Sequence, residues 1–404
     1  MSNRVCVVSQ RYYPGDARMA TQIEGFQQAG YEVDVVVMRG RNQPGYSVHD
    51  GVHVHRIPSM ERQRAGKVRY VAEYFSFFLP AFFLMAVLQI LRGYRVVEVT
   101  NLPDLLLFSA LVPKLLGAKL IFDVRECTPE MFMDRFKATK DSKVIKLMTW
   151  LEQLCLRFAD ATTTCTEAMR KALVSRGADP AKISIVLNVG AATLRKEAIL
   201  PDPTDDAKDQ FRIITHGTII KRYGHDVLID AMVDVVKRVP QAHLEILGRG
   251  QLEADLKRKV EVLGLQQHVT FSGFVPDDEL LKRLRKAHVG VVPLEKNPES
   301  DLVHTYKMFE YIHLGVPTVI SRTTGPQDYF GDDALYYFEP GNASSLADAL
   351  VDLASSGQKR YELAKNALKA YENYVPAKQV EAFARLVTSL TQRPTSGRFA
   401  DSRS

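Results

Sequence analysis

Short β-branched runs alternating with helical stretches constrain this chain more than any other feature. Residues 5–8, 33–37 and 119–124 read as strands, with helical patterning at 19–28 and 105–116. That rhythm specifies βαβ units and a parallel sheet, because parallel neighbours need a crossover long enough to hold a helix. After a polar stretch rich in Pro and Asp at residues 201–210, the alternation restarts with strands at 212–215, 244–247, 269–272, 289–293 and 318–321. The expected organisation is therefore two Rossmann-like α/β domains, residues 1–200 and 208–376, facing each other across a cleft. A last helix at about residues 377–392 is expected to pack back on the first domain, and the polar segment 393–404 to be a disordered tail.

Composition narrows the function classes. Of 404 residues, 46% are hydrophobic and 25% charged, which is ordinary for a folded soluble chain and excludes disordered and collagenous classes. A net charge of +6 is too mild for a dedicated nucleic-acid binder and better suits anionic small molecules or an anionic membrane surface. Cys6, Cys127, Cys155 and Cys165 form no CxxC pair and have no metal-ligand spacing, so reduced thiols are expected. The opening MSNRVCVVSQ enters a strand at once, without a basic region and long apolar run, so a cytoplasmic location is expected.

One segment departs from that picture. Eighteen uncharged residues, 74–91, reach the lower length for a membrane span of about 17–25 residues, but Pro80 and Gln89 interrupt them and a strand resumes at 95–99. The expected structure is a buried helix pair in the first domain. Arg62, Arg64, Lys67 and Arg69 precede the run, and Tyr70, Tyr74, Phe75, Phe77, Phe78, Phe82 and Phe83 crowd its start. Basic and aromatic residues together suit the headgroup region of an anionic leaflet, so a peripheral contact on the cytoplasmic face is a second expectation.

In open α/β sheets ligands sit beyond the carboxyl ends of strands, where helix N-termini present free N–H groups. The first strand leads into SQRYYPGDARMA, with Gly15 and with Asp16 placed to cap the next helix. The second domain opens with FRIITHGTIIKRYGHDVLIDAM: a strand ending at Gly217, a loop with Thr218, Lys221 and Arg222, and a helix from about Tyr223 or Gly224. Glycine lets backbone approach a phosphate and cations at a helix start attract one, although a plain turn with solvated basic residues fits too. The next strand ends in Gly248-Arg249-Gly250, only half of GxGxxG, and GxxxxGK[ST] occurs nowhere, which excludes P-loop kinases and ATPases.

The segment NPESDLVHTYKMFEYIHLGVPTVIS carries the most information: a polar loop, a helix from about Tyr306, a stop at Gly315 and a strand. Lys307 and Glu310 share a helix face. Either they form an i,i+3 ion pair, or Lys307 and the free N–H groups near Thr305 meet a diphosphate while Glu310 accepts hydrogen bonds from both hydroxyls of a ribose. His53 and His55 alternate on one strand without further ligands and read as structural.

On these segments, together with LEILGRGQLEADL, VTFSGFVPDDEL and VGVVPL in the second half and GYEVDVVV, TNLPDLLLFSALVPKLLGAKLIFDVRECTPEMF, FADATTTCTEAM and ISIVLNVG in the first, the chain resembles the retaining glycosyltransferases of family 4, which have the two-domain GT-B architecture. The resemblance runs from residue 5 to about residue 390. It implies a nucleotide-diphosphate-sugar donor bound mainly by the second domain and a sugar or lipid-linked acceptor bound mainly by the first, with no other cofactor, no metal and no nucleic-acid partner. It implies that Glu310 binds ribose, that the backbone at Phe274 and Val275 reads the base, and that Arg222 and Lys307 contact the diphosphate.

Three positions depart from the family pattern. Thr218 and Tyr223 stand where Arg and Lys are frequent, with Lys221 and Arg222 as compensating cations. Leu302 stands where many members carry a first glutamate, which leaves Glu299, Ser300, Asp301 and the backbone of residues 302–305 as sugar-facing candidates. Arg125 replaces a donor-contacting histidine; it either binds a sugar oxygen or phosphate, or pairs with Glu126 or Asp123. The implied chemistry is front-face substitution with retention, probed against two alternatives: another GT-B enzyme, such as a sugar-nucleotide epimerase or phosphorylase, and a non-catalytic sugar-nucleotide-binding protein. A role in cell-surface polysaccharide or glycolipid assembly is the accompanying expectation.

Overall fold

Runs such as EVDVVVM and KLIFDV are buried almost throughout, so each must lie in a sheet covered by helices on both faces. The computed structural model describes residues 3–60, 67–190 and 198–392 and contains two such sheets. The first holds β1 (Arg4–Val8), β2 (Glu32–Met38), β3 (Tyr46–His49), β4 (Val52–Ile57), β5 (Val96–Thr100), β6 (Lys119–Val124), β7 (Ala161–Thr164) and β8 (Ile183–Ile185). Their spatial order is β3-β4-β2-β1-β5-β6-β7-β8, parallel except for the β3-β4 hairpin at the edge. The second holds β9 (Phe211–His216), β10 (Ala242–Leu247), β11 (Val269–Gly273), β12 (Val289–Val292), β13 (Thr318–Ser321) and β14 (Tyr336–Phe338), ordered β11-β10-β9-β12-β13-β14 and parallel throughout. In each sheet the strand order reverses at the opening strand, β1 or β9, so a crevice forms beyond its carboxyl end.

Alternate residues of β1 face different cores. Val5 and Val7 join Ile23 and Phe26 of the Ala17–Gln28 helix, whereas Cys6 and Val8 join Phe77 and Met85 of the Lys67–Arg92 helix. Asp16 starts the first of these helices by accepting the Met19 N–H at 2.9 Å, a cap contributing about 1 kcal/mol. The last helix, Pro376–Thr391, returns to the first unit, where the Phe383 ring meets Phe26 edge to face at 4.9 Å. Gly25 makes this possible, because a Cβ there would lie 2.7 Å from Phe383 Cδ1. Gln379 ties the outgoing and returning chain together: its Oε1 accepts from the Leu187 N–H at 2.8 Å and its Nε2 donates to the Tyr374 carbonyl at 3.2 Å.

The apolar run corrects an expectation. It is one 26-residue helix, Lys67–Arg92, with Pro80 inside it, rather than a buried pair. Phe77, Ala81, Met85 and Leu88 enter the core, but Val71, Phe75, Leu79, Phe83, Val87 and Leu91 form an exposed stripe at four-residue spacing. By length and composition Val71–Arg92 could cross a membrane, with a mean hydropathy of 2.0. Only 28% of its most apolar window is buried, so packing on this fold does not account for its hydrophobicity. Arg62, Arg64 and the expected tail at 393–404 lie outside the described residues.

Candidate functional site

The loops after β9, β10 and β11 converge on a cleft of about 660 Å³ lined by His216, Gly217, Thr218, Gly248, Phe274 and Val275. Two glycines let them come this close. At Gly248, φ is +130° and a Cβ would stand 1.9 Å from the Gly217 carbonyl oxygen; at Gly217, φ is +109° and a Cβ would stand 2.8 Å from Lys307 Cε. The loops are held by Gly217 N–H to the Leu247 carbonyl at 2.8 Å and Gly248 N–H to the Gly273 carbonyl at 2.7 Å.

Lys307 lies in the first turn of the Tyr306–Leu314 helix, threaded past Gly217 and 6% exposed. Among the described residues its ammonium has no hydrogen-bond partner; it rests 3.9 Å from the centroid of the Tyr223 ring. Burial, opposed by Glu310 and assisted by Arg222, brings its pKa down to about 7. The alternative i,i+3 ion pair with Glu310 does not form; Glu310 instead sits 3.2 Å from His216 Nε2. Thr305 is the N-cap residue of the same helix, yet among the described residues its buried hydroxyl caps nothing and has no partner. A buried cation and an uncapped helix start therefore stand within one helical turn of each other, an arrangement that suits an anion.

Arg222 stands beside them, its guanidinium 5.4 Å from the Tyr223 ring and bonded to Glu299 Oε1 at 2.5 Å. Burial raises the Glu299 carboxyl against the pull of Arg222, with Glu126 and Asp134 of the first domain adding to the rise. His225, buried with neither ring nitrogen bonded among the described residues, is held down to a pKa of about 3 by burial and by Lys307, so it is neutral at physiological pH.

Three residues singled out from sequence are engaged elsewhere. Lys221 points to solvent and pairs with Asp226 at 2.6 Å and Glu295 at 2.9 Å. Asp301 accepts the Thr324 N–H at 3.0 Å and hydroxyl at 2.9 Å, which fixes a neighbouring turn. Arg125, read either as a donor contact or as a partner of Glu126 or Asp123, is buried and bonds Asp123 at 2.8 Å, together with Asp16 at 2.6 Å and Gln22 at 3.3 Å. It braces the lip of the first domain: Arg18 pairs with the same Asp123 at 2.6 Å, and Gly15, with φ of +125° and open space where a Cβ would be, sits on that lip beside Asp16. His53 and His55 are also structural, bonded to Tyr46 at 2.7 Å and Asp34 at 3.3 Å.

Sequence reasoning passed over the contacts that close the domains on each other. The Thr166 hydroxyl donates to the Leu302 carbonyl at 2.6 Å, the Tyr306 hydroxyl donates to Asn188 Oδ1 at 2.6 Å, and the Glu167 N–H donates to the Tyr329 hydroxyl at 2.6 Å. Position 302 thus serves through its backbone, and its side chain packs against the first domain's core. His216 was missed as well, although it directly precedes the loop glycine. Among the described residues Cys127, Glu130 and Glu152 could bring ligand atoms within 4.8 Å of one another, but Arg176 already bonds the two carboxylates at 2.7 and 2.8 Å.

Residues 198–370 match the family described as Glycosyl transferases group 1, and residues 15–188 match the Glycosyl transferase 4-like domain. The sulfoquinovosyl transferase SQD2 of Arabidopsis thaliana is 23% identical over 283 residues, 67% of this chain and 52% of that protein. The phosphatidyl-myo-inositol mannosyltransferase of Mycobacterium leprae is 29% identical over 163 residues, 39% of this chain and 42% of its own length. The chain thus spans about half the length, or less, of these curated relatives. Among solved structures, Anabaena HepE in complex with UDP superposes with a TM-score of 0.70 at 15% identity, covering 96% of this chain and 100% of that one. Sucrose-phosphate synthase from Thermosynechococcus elongatus gives 0.69 at 16% identity, covering 96% and 98%. At such identities the structural likeness speaks for the fold, two facing parallel α/β domains of the GT-B kind. With one family match on each domain, the chain belongs to the group 1 glycosyltransferases of GT-B fold and family 4 type.

Proposed function

We propose that the chain transfers a sugar, with retention of configuration, from a nucleotide-diphosphate-sugar to an acceptor hydroxyl. The observation that carries this is the buried, unpartnered Lys307 ammonium beside an uncapped helix start. In this reading the diphosphate supplies the anion that Lys307 lacks, and Arg222 exchanges Glu299 for phosphate oxygen. Glu310 accepts the ribose hydroxyls, and Phe274, 73% exposed at the cleft, and Val275 flank the base. The bond from the anomeric carbon to the β-phosphate oxygen breaks while the acceptor oxygen bonds the same carbon from the same face. The acceptor proton passes to the departing phosphate oxygen. Charge on the leaving group is met by Lys307, Arg222 and the helix start, so no step requires a metal or further cofactor.

The exposed stripe on the Lys67–Arg92 helix supports action at the cytoplasmic face of an anionic membrane. A phosphatidyl-inositol acceptor in one relative's name, and lipopolysaccharide core and amylovoran biosynthesis in others, support glycolipid or surface polysaccharide assembly. The test is calorimetry with UDP, GDP, ADP and TDP, followed by release of nucleoside diphosphate from the matching sugar donors. Release that requires an acceptor, and falls at least tenfold in Arg222→Ala, is the expected result, from loss of roughly 3 kcal/mol of charge stabilisation. No heat with any nucleotide refutes the proposal. Leu302 in the place of a family glutamate favours a second reading, a non-catalytic binder, which binding without turnover across the donor panel would establish.

A further inference from the structure

The first domain contains a second cavity, of about 400 Å³, that the transfer chemistry leaves unused. It lies between the Lys67–Arg92, Thr128–Phe136 and Lys143–Phe158 helices, and its walls are almost wholly hydrocarbon: Phe78, Leu105, Phe132, Met148 and Leu151 among them. An apolar cavity of this size falls within the range of about 300–1,000 Å³ in which proteins hold ligands.

Its two ends differ. At the inner end are Pro103, Asp104 and Thr128, which follow the carboxyl ends of β5 and β6. Asn101 joins these loops to the lip of the donor cleft, accepting the Arg125 N–H at 2.8 Å and donating to the Glu126 carbonyl at 2.7 Å. Arg125 in turn holds Asp16, and Glu126 is among the groups that raise Glu299 across the cleft. At the outer end, Phe75 and Val144 line the cavity and are also exposed, so it opens there. That opening lies between two apolar faces, the stripe of Leu79, Phe83 and Val87 on one helix and Leu147 and Trp150 on the other. Exposed Lys143, Lys146 and Arg157 accompany Trp150, cations suited to anionic headgroups around an apolar contact.

We infer that this cavity takes the hydrocarbon chain of the acceptor lipid, which enters from the bilayer between Phe75 and Val144 and places its head group at the cleft. The inference rests on the proposed transfer reaction for the word acceptor; the chain site itself stands apart from it. A cavity serving only to anchor bulk lipid would have no need to end beside Asn101 and Arg125.

The test uses the full chain and cis-parinaric acid as a fluorescent hydrocarbon probe, displaced by n-alkanols of increasing length. Affinity should rise about fourfold per methylene and then level off when the cavity is full. Met148→Trp fills the cavity and Val144→Glu, at an exposed position, charges its mouth; each should weaken the probe at least tenfold while UDP calorimetry is unchanged. Phe83→Glu, on the stripe outside the cavity, should leave probe binding as it was. Equal losses in Phe83→Glu and Met148→Trp, or no chain-length dependence, overturn the cavity in favour of surface adsorption. The acceptor half is read with the donor found by calorimetry and a total lipid extract: labelled sugar should enter the extractable lipid, at least tenfold more slowly in Met148→Trp. Wild-type rates in that variant overturn it. If the probe binds but no nucleotide does, the transfer reading falls and the chain site remains.

Discussion

A lysine whose pKa is brought down to about 7 by burial should make nucleotide binding a proton-uptake reaction. A diphosphate seated on the Lys307 ammonium returns it towards its ordinary value of 10.5, so the bound protein keeps a proton that the free protein releases above neutrality. At about pH 8 roughly nine tenths of the free protein carries neutral Lys307, and binding takes up about 0.9 proton; between about pH 8 and pH 10 affinity falls about tenfold per pH unit. Calorimetry with UDP at pH 8 in two buffers of different ionisation enthalpy reads this uptake directly, since a diphosphate holds a constant charge there. The same group bears on stability. Its folded pKa lies below the unfolded one, so the cost of burying the charge is present in full below pH 7. That cost, about 5 kcal/mol at 1.36 kcal/mol per unit, is relieved as pH rises from 7 towards 10.5. Lys307→Met should therefore raise the thermal midpoint of the unliganded protein at neutral pH while abolishing nucleotide binding. Buffer-independent heats at pH 8, or a destabilised methionine variant, refute the reasoning.

Gly248→Ala should abolish nucleotide binding and lower the thermal midpoint, because its methyl group meets backbone, the Gly217 carbonyl, at 1.9 Å and cannot be accommodated by a rotamer change. A variant with normal heats of binding would refute the role given to that contact. Phe383→Ala should cost about 3–5 kcal/mol in urea denaturation, since the ring is fully buried against Phe26 and Gly25. An effect below 1 kcal/mol would mean that the returning helix is not part of the first domain's core.

Both sheets were legible because parallel strands covered on each face leave continuous apolar runs, and the cleft because glycines mark where loops must touch. Lys307 was legible as a cation at a helix start, but its isolation was not: that depends on Gly217, ninety residues earlier, leaving room for the side chain. Arg125 was legible in part. Its pairing with Asp123, two residues away, was one of its two readings, whereas its other partner Asp16 lies 109 residues away and left no local signal. Asp301, committed to Thr324, is the same case over 23 residues. For residues 74–91 the sequence is apolar on every helix face, so periodicity cannot tell which face a neighbour covers.

The polypeptide passes between the domains twice, once outward after Leu187 and once back before Gln379, and a single glutamine side chain joins the two passages. Separating the lobes must break the bonds between them, Thr166 to Leu302, Glu167 to Tyr329 and Tyr306 to Asn188, the first and last of which are carried by the segment that leads into Lys307. Any separation of the lobes therefore pulls, through two hydroxyl groups, on the segment entering the turn of helix proposed to meet the anion.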